Sequence, residues 1–373
     1  MNDRGDSSAQ SFFSEIASLW ATGCISHSML ETFYRVRKIW YMIIAVIGVP
    51  VNLVAILILS RGTCGLSTCT TRYLVAMATP DLLTIIFAVI FWRVSYYYFP
   101  GTFLDITPVC SVISALGQAA TDCSVWFTVT FTFDRFVAIC CQKRKTKYCT
   151  GKIAAVVLTT TGVLLCFINV PFVFKYRPVK VIVNIPWDCI PKPGSFKDPG
   201  WVGYRWFSEV VMPFLPFVLI LLLNALTVRH ILVTSRVRKG LRGQSKVENR
   251  SDPEMESRRR SVILLLTISR SFVILWSVSV AEFLYYTIAG LDQNNYNDSE
   301  YILRHTGYIL VILSCCTNTF IYGVTQSKFR QQFISAAKYP LTSIIQLITK
   351  QNIKFYSEAG RSVFRLDTQN RLS

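Results

Sequence analysis

Three charged side chains interrupt stretches of the chain that are otherwise long, apolar and uncharged. Asp81, Asp122 and Arg270 each stand alone in such a stretch. An ionised group in an apolar environment is costly unless it is paired, hydrogen-bonded or, for an acid, protonated, and such groups are commonly functional. Amide and hydroxyl residues recur in the same way and join them as candidates: Asn52, Ser124, Ser314 and Asn318.

A second set of candidates is defined by spacing. Asp134-Arg135-Phe136 places an acid beside a base near the end of an apolar stretch, so Arg135 has an ion-pair partner in its own neighbour. Two further pairs are separated by four residues, which puts the members of each pair on one helix face: Phe272 with Trp276, and Asn318 with Tyr322.

The composition indicates that the apolar stretches that carry these residues cross a membrane. Mean hydropathy is +0.40 and only 16% of residues are charged, against roughly 25% in soluble domains. Seven stretches have the roughly 20 mostly apolar residues that a transmembrane helix needs: Ile39–Leu59, Tyr73–Trp92, Pro108–Phe133, Ile153–Phe174, Val210–Val228, Ser261–Ala281 and His305–Thr325. We predict an all-α membrane protein, a seven-transmembrane helix bundle. With no metal-ligand spacing or nucleophile motif, we do not expect an enzyme.

The formal charge of +18 comes from an excess of Lys and Arg, and the distribution of these residues indicates how the chain is oriented in the membrane. In a soluble protein it would suggest a nucleic-acid partner. With the N-terminus outside, 26 of the 39 Lys and Arg fall in cytoplasmic segments and 12 in extracellular ones, as the positive-inside rule expects. We predict a multi-pass plasma-membrane protein with an extracellular N-terminus and a cytoplasmic C-terminus, and no nucleic-acid partner. Arg35, Arg37 and Lys38, just outside the first stretch, run against this bias.

The same orientation sorts the cysteines and the sequons. Cys24, Cys110 and Cys189 would face the oxidising side, where a disulfide is stable. A Cys110–Cys189 bridge would hold the loop between the fourth and fifth stretches over the bundle; the alternative is two unrelated thiols. Asn297 begins an extracellular Asn-Asp-Ser sequon and is the predicted glycosylation site, whereas Asn249 begins a cytoplasmic one that should stay bare.

Three regions follow from this division. Residues 1–38 are expected to be an extracellular N-terminal segment, 39–337 the seven-transmembrane domain and 338–373 a cytoplasmic tail. Within the domain, residues 327–337 place Phe329, Phe333, Ala336 and Ala337 on one helix face beside basic residues. This pattern predicts a short amphipathic helix that lies on the membrane after the seventh span.

These motifs together resemble the rhodopsin-like (class A) family of G-protein-coupled receptors, over about residues 39–337. Cys110 and Arg135 have the family's disulfide-to-arginine spacing of 25 residues. Asp-Arg-Phe stands where the family has Asp-Arg-Tyr, and Asn-Thr-x-x-Tyr stands where it has Asn-Pro-x-x-Tyr. Residues 121–127 and 316–322 are similar to a fish orphan-receptor group related to the receptors for tryptophan and phenylalanine.

The resemblance implies roles for the residues at the predicted cytoplasmic end. Arg135, held by Asp134 at rest and followed by Phe136, would swing to meet a G-protein helix; the alternative is an arginine that only sets topology. Trp276, with Phe272, resembles the family's toggle beneath the ligand cavity; the alternative is a packing aromatic. Tyr322, one turn beyond Asn318, would move towards Arg135.

The resemblance also implies a sodium pocket. No cofactor is required, but an allosteric Na⁺ would be bound by oxygens from five residues: Asp81, Ser124, Ser314, Asn318 and Asn52. The alternative is a protonated Asp81 in a water network.

Two departures from the family pattern bear on signalling. Val278 and Thr319 stand where the family has proline in the sixth and seventh spans, so the usual hinges are missing. A receptor-like protein without classical signalling, or a transporter or channel, therefore remains an alternative to a receptor that transmits a small-ligand or peptide signal to a G protein.

The ligand is constrained by what the spans contain. Gly117 stands where amine receptors have an aspartate, and the seventh span has no lysine for a retinal Schiff base. Charges of both signs beside aromatic residues would suit an aromatic amino acid or a short peptide, although each residue taken singly could belong to an interfacial aromatic belt. The candidate pocket residues are Arg93, Gly117, Gln118, Glu209, Trp276, Glu282, Arg304 and His305.

The expected partners also follow from the resemblance. They are the lipid bilayer, a heterotrimeric G protein of the Gq/11 type, and arrestin and receptor kinases acting on scattered serines and threonines of the tail.

Overall fold

The computed structural model describes residues 27–62, 64–193, 198–242, 253–289, 297–336 and 338. Cys24, Asn249 and nearly all of the predicted tail lie outside this part of the chain. Within it, seven helical segments are long and apolar enough to cross a membrane: Met29–Ser60, Thr68–Tyr98, Thr107–Cys140, Gly151–Phe174, Pro199–Arg236, Arg259–Thr287 and Asp298–Thr325. The predicted all-α seven-helix bundle is confirmed, and we call these segments the first to seventh spans.

Five of the spans are built on uninterrupted α-helices. The helices are His27–Ser60, Thr107–Cys140, Gly151–Asn169, Pro253–Ala289 and Asp298–Thr325, and a 3₁₀ turn, Val170–Phe174, extends the fourth. The first helix begins well before the predicted start at Ile39. The sixth and seventh helices are continuous through Val278 and Thr319, as expected where no proline removes a backbone donor.

The second and fifth spans change helix type along their length. The second is an α-helix at Thr68–Thr84, a π-helix at Ile85–Val94 and a short α-helix at Ser95–Tyr98. The fifth runs from Pro199–Glu209 through a π-helical turn, Val210–Phe214, into Leu215–Arg242. Each contains a proline, Pro80 or Pro213, whose missing N–H disturbs the helical ladder.

Side-chain caps explain several helix starts. Ser67 Oγ accepts from the Thr70 N–H and so caps the second span. The seventh span begins with a reciprocal capping box, in which Asn297 Oδ1 accepts from the Glu300 N–H at 2.9 Å and Glu300 Oε2 accepts from the Asn297 N–H at 3.0 Å. Two shorter helices lie at the other end of the bundle, Gln142–Tyr148 and residues 327–336.

The connection between the fourth and fifth spans adds a small amount of β-structure. Strands β1 (Tyr176–Arg177) and β4 (Ile190–Pro191) pair antiparallel, as do β2 (Lys180–Ile182) and β3 (Ile185–Trp187). The expected disulfide joins Cys110 at the start of the third span to Cys189 in this connection. We call this end of the bundle the disulfide end and the opposite end the Arg135 end.

The bundle is apolar inside and outside. Its interior packs around fully buried side chains such as Leu74, Met77 and Ile312. Its outer surface also carries large apolar residues: Val46 is 68% exposed and Phe167 is 70% exposed. A water-facing surface of this kind would be unfavourable, so it fits a protein whose solvent is lipid.

Candidate functional site

The centre of the candidate site is Asp81, which is fully buried within the second span. Ser124 Oγ in the third span donates to Asp81 Oδ1, and Asn318 Nδ2 in the seventh donates to Asp81 Oδ2 at 2.9 Å. Asp81 forms no ion pair with any basic residue that the structure describes. Three of the five predicted sodium ligands are therefore in direct contact around one carboxylate.

Asn52 extends this polar cluster into the first span without touching Asp81. Its Nδ2 donates to the Cys315 carbonyl at 2.9 Å and to the Gly48 carbonyl at 3.0 Å. Its Oδ1 accepts from Thr319 Oγ1 at 3.3 Å. Thr319, which stands where the rhodopsin-like family has a proline, thus links the seventh span to the first through a hydrogen bond.

Ser314, the fifth predicted ligand, connects the cluster to the aromatic pair. Trp276 Nε1 donates to Ser314 Oγ at 3.3 Å. The rings of Phe272 and Trp276 stack with centroids 5.3 Å apart, so the sixth span presents a rigid aromatic block to the third and seventh.

A small cavity lies between the aromatic pair and the Asp81 cluster. Its volume of about 10 Å³ is enough for about one water molecule. Ser124, Ser314 and Asn318 line it together with the rings of Phe272 and Trp276. Hydroxyl, amide and carboxylate oxygens are the ligands that hard cations prefer, so the donor set fits a small cation.

The Arg135 end holds its charge in a buried ion pair. Arg135 Nε donates to Asp134 Oδ2 at 3.0 Å, and both residues are buried. Cys69 Sγ donates to Asp134 Oδ1 at 3.2 Å, and the Arg135 guanidinium lies 5.9 Å from the centre of the Phe131 ring. Phe136, the third predicted member, is only half-buried.

Tyr322 lies one helical turn beyond Asn318 and is fully buried. Its hydroxyl has no hydrogen-bond partner among the described residues. Its ring makes an edge contact with Phe329 of the 327–336 helix, at 5.9 Å between centroids. A buried hydroxyl without a hydrogen-bond partner is unfavourable. Any rearrangement that supplies a partner to the Tyr322 hydroxyl would therefore be stabilised.

The candidate ligand residues form two groups at the disulfide end. Glu209 and Glu282, from the fifth and sixth spans, interact electrostatically with each other and with Arg304 of the seventh. Lys175 lies just beyond the fourth span and interacts with both Arg304 and Glu209. Burial, reinforced by Arg304, lowers the pKa of Lys175 to about 8, although Glu209 opposes the shift.

The second group is basic and aromatic. The Arg93 guanidinium lies 5.0 Å from the centre of the Tyr308 ring. His305 makes an edge contact with Tyr301, at 4.0 Å between centroids, and lies in the electrostatic range of Arg37, Arg93 and Arg304. The two groups place acids towards the fifth and sixth spans and bases towards the first, second and seventh.

Gly117 and Gln118 have structural contacts. A Cβ on Gly117 would lie 3.1 Å from Ala88 Cβ, so this glycine allows the second and third spans to approach closely. Gln118 Nε2 donates to Asp122 Oδ1 at 2.8 Å, and Asn169 Nδ2 in the fourth span donates to Asp122 Oδ2 at 2.7 Å. Asp122 is thus satisfied by two amides, whereas Arg270 is exposed on the outer surface of the sixth span.

This arrangement of spans and motifs is matched by known proteins. A sequence model of the 7 transmembrane receptor (rhodopsin family) matches residues 51–322, most of the chain. The chain belongs to this rhodopsin family of receptors. Membership makes it a multi-pass, non-enzymatic membrane receptor, of a family whose members bind ligands and couple to G proteins.

Individual relatives of the receptor are distant and varied. It is 21% identical to cysteinyl leukotriene receptor 1 of Cavia porcellus, over 75% of this chain and 78% of that one. It is 22% identical to compound eye opsin BCRH1 of Hemigrapsus sanguineus, over 82% of both chains. It is also 22% identical to the FMRFamide receptor of Drosophila melanogaster, over 78% of this chain and 52% of the other.

Sequence reasoning missed several residues of the receptor's polar core. Asn169 is one of them: it is an amide near the end of the apolar fourth span, which is the same signal that marks Asn52. Arg37 was noted only as a conflict with the charge bias. Its spacing from Tyr34 and Tyr41, three and four residues away, would have placed all three on one helix face.

Proposed function

We propose that this receptor transmits a ligand signal from the disulfide end to a heterotrimeric G protein at the Arg135 end. The observation that carries the proposal is a series of side-chain contacts along the bundle. Trp276 donates a hydrogen bond to Ser314, and Asn318 donates one to Asp81. Tyr322 lies one helical turn beyond Asn318, towards the end that holds the buried Asp134–Arg135 pair. A shift of the aromatic pair would alter the contacts of the seventh span directly.

Release of Arg135 is the proposed last step. The Asp134 partner is its sequence neighbour, so the pair forms without help from another span. Rotation of the Arg135 side chain would expose a guanidinium that can accommodate the carbonyl end of a G-protein helix. The unpartnered Tyr322 hydroxyl would then gain a partner in the rearranged end.

The proposed orientation puts the disulfide end outside the cell. The excess of Lys and Arg in segments at the Arg135 end supports it. A stable Cys110–Cys189 disulfide also favours the oxidising side for that end. The site of action would be the plasma membrane, with the C-terminal segment available to arrestin and receptor kinases.

The proposed allosteric ion is Na⁺ at Asp81. Asp81 is buried, forms no ion pair with a described residue, and is hydrogen-bonded to two residues that line a cavity of about one water molecule; this supports the proposal. Asp81, Ser124, Asn318 and Ser314 would hold the ion, while Asn52 would fix the seventh span through Thr319. The ion would stabilise the resting arrangement by neutralising the carboxylate.

The proposed ligand is an aromatic amino acid or a short peptide. Glu209 and Glu282 would bind its ammonium group, and the basic group around Arg93 and His305 its carboxylate. The resemblance of residues 121–127 and 316–322 to a fish orphan-receptor group, itself related to the tryptophan and phenylalanine receptors, favours this class and Gq/11. The name of the Drosophila relative adds short peptides as a candidate ligand class.

One observation favours a second candidate, a receptor-like protein without classical signalling. The sixth helix, Pro253–Ala289, continues unbroken through Val278, where the family's hinge proline is absent. A stiffer sixth span would restrict the opening of the Arg135 end.

A calcium and cAMP assay in transfected cells distinguishes these candidates. We expect a calcium response to tryptophan, phenylalanine or a short peptide, and we expect Arg135→Ala to abolish it at equal surface expression. A matched control is Lys143→Ala, which removes an exposed base near the same end. A response that survives Arg135→Ala would contradict the mechanism, and an absence of any response would favour the second candidate.

A further inference from the structure

We propose that Arg37 and Arg93 form an anion site between the first, second and seventh spans, and that it binds the carboxylate of an aromatic ligand. The proposal rests on the proposed ligand-receptor function and deepens it. It places the carboxylate of the ligand between the first, second and seventh spans at the disulfide end.

Arg37 is the buried member of the pair. Its side chain is almost fully enclosed, with 3% of the residue exposed. Its Nη2 donates to the Tyr97 hydroxyl at 2.7 Å, while Nε and Nη1 are buried without a hydrogen-bond partner. Two unsatisfied donor nitrogens on a buried cation are costly, and such groups normally find an acceptor.

Arg93 is the more accessible member. It is half-buried, and its Nε is also buried without a partner. The guanidinium lies 6.0 Å from the centre of the Tyr41 ring and 5.0 Å from that of Tyr308. Tyr41 joins the two arginines, because it follows Arg37 by one turn and stacks on Tyr97 at 6.3 Å between centroids.

The described surroundings contain no counter-charge for this pair. Neither arginine forms an ion pair with a described carboxylate. Glu31, an acid on the same helix, is bound to Arg35 at 2.6 Å. His305 lies in the electrostatic range of both arginines. An anion would therefore be attracted by the two guanidinium groups and repelled by no carboxylate that the structure shows nearby.

The walls of the site specify the rest of the ligand. The Arg37 guanidinium lies over Tyr34 at 4.9 Å, over Tyr301 at 5.5 Å and over Tyr97 at 5.8 Å. Cation–π contacts of this kind hold the guanidinium near the rings but supply no oxygen acceptor for its N–H groups. The unsatisfied N–H groups are left for an anionic oxygen acceptor, and carboxylates accept charge-assisted hydrogen bonds of this kind. The surrounding rings favour an aromatic body.

Phenylacetate is a suitable probe, and its neutral amide, phenylacetamide, is the matched control compound. The purified receptor in phosphatidylcholine nanodiscs is heated while intrinsic tryptophan fluorescence is recorded. We expect phenylacetate to raise the Tm in a concentration-dependent manner and phenylacetamide to leave it unchanged.

Three arginine variants then locate the binding. We expect Arg93→Gln and Arg37→Gln each to raise the apparent Kd for phenylacetate about tenfold or more, as loss of a charged hydrogen bond implies. Arg35→Gln removes an exposed arginine of the same helix and should leave the Kd unchanged. If Arg37→Gln does not fold, Arg93→Gln decides the outcome.

The binding assay is independent of signalling. We expect Arg135→Ala to bind phenylacetate like the parent receptor even if it abolishes coupling, so the anion site and the proposed function can fail separately. The anion site would be overturned if phenylacetate and phenylacetamide gave the same Tm, or if Arg93→Gln left the Kd unchanged.

Discussion

At the scale of single residues, two buried aspartates of similar sequence context have different environments. Asp122 accepts one hydrogen bond from each of two amides, Gln118 and Asn169. Asp81 accepts from Ser124 and Asn318, and these two residues line a small cavity together with Trp276. Both carboxylates therefore have both oxygens hydrogen-bonded. What distinguishes Asp81 is that its partners also line a cavity, which leaves room for a small ion next to the cluster.

We expect Asp81→Asn to remove the stabilisation of the receptor by sodium. The ion would lose its only charged ligand, so replacing choline chloride with sodium chloride should raise the Tm of the parent receptor but not that of the variant. Asp122→Asn is the matched control and should keep the sodium effect. Equal sodium-dependent shifts in the parent and Asp81→Asn would contradict the ion site.

Lys175 should make the free energy of unfolding of the receptor depend on pH. Its pKa falls to about 8 in the folded receptor, chiefly through burial and then through Arg304, from an ordinary value of about 10.4. Between about pH 8 and 10.4 the unfolded chain therefore binds more protons than the folded one, so stability rises with pH across this window. Below about pH 8 the full penalty of holding a charged Lys175 remains.

The difference in Tm between the parent receptor and Lys175→Gln measures the contribution of Lys175 at each pH. We expect the variant to have the higher Tm at pH 7 and the advantage to shrink as the pH approaches 10. An advantage that is constant over this range would show that the folded receptor does not shift the pKa of Lys175.

At the scale of elements, the cluster depends on close contacts between spans at small residues. A Cβ on Gly48 of the first span would lie 2.5 Å from Ile85 Cδ1 and 2.7 Å from Cys316 Sγ. The first span can therefore approach the second and the seventh only because residue 48 has no side chain. This approach lets Asn52, one turn along, reach the Cys315 carbonyl.

We expect Gly48→Ala to lower the stability of the receptor by about 1–3 kcal/mol, because overpacking forces neighbouring side chains or helices apart. Gly323→Ala is a matched control in the seventh helix, since nothing lies within 4 Å of its added Cβ. That variant should keep or slightly raise the Tm in the same detergent. Equal Tm values for all three proteins would contradict the close packing.

The elements also show what the sequence could and could not predict. Apolar length alone located all seven spans, and polarity within those spans singled out Asp81, Ser124 and Asn318 individually. Their grouping into one pocket came from the family resemblance. The π-helical segment Ile85–Val94 has no periodic signal of its own, because its apolar residues suit either helix type. The Arg37–Tyr97 contact joins residues 60 positions apart, so no local pattern reports it.

At the scale of the whole molecule, the charge excess and the disulfide indicate the same orientation. Basic residues concentrate in segments at the Arg135 end, and the disulfide lies at the other. The Asn297 sequon lies at the disulfide end, where its side-chain oxygen caps the seventh helix and its amide nitrogen is left for a glycan.

We expect the receptor expressed in mammalian cells to carry a glycan at Asn297. Ser299→Ala removes the sequon without touching the capping side chain, and it should abolish the mobility shift produced by a peptide N-glycosidase. Ser251→Ala, which removes the Asn249 sequon, should leave the shift unchanged. The reverse pattern would place the disulfide end in the cytoplasm.

The central claim, that the bundle transmits its signal through Arg135, is tested most directly by nucleotide exchange in a reconstituted system. Purified receptor in nanodiscs is mixed with a Gq heterotrimer, and the rate of GTP-analogue uptake is measured without ligand and with tryptophan. We predict that the parent receptor accelerates uptake and that tryptophan increases the rate further. Arg135→Ala should return the rate to that of the G protein alone, while Lys143→Ala should not. Acceleration by Arg135→Ala equal to that of the parent would contradict the account.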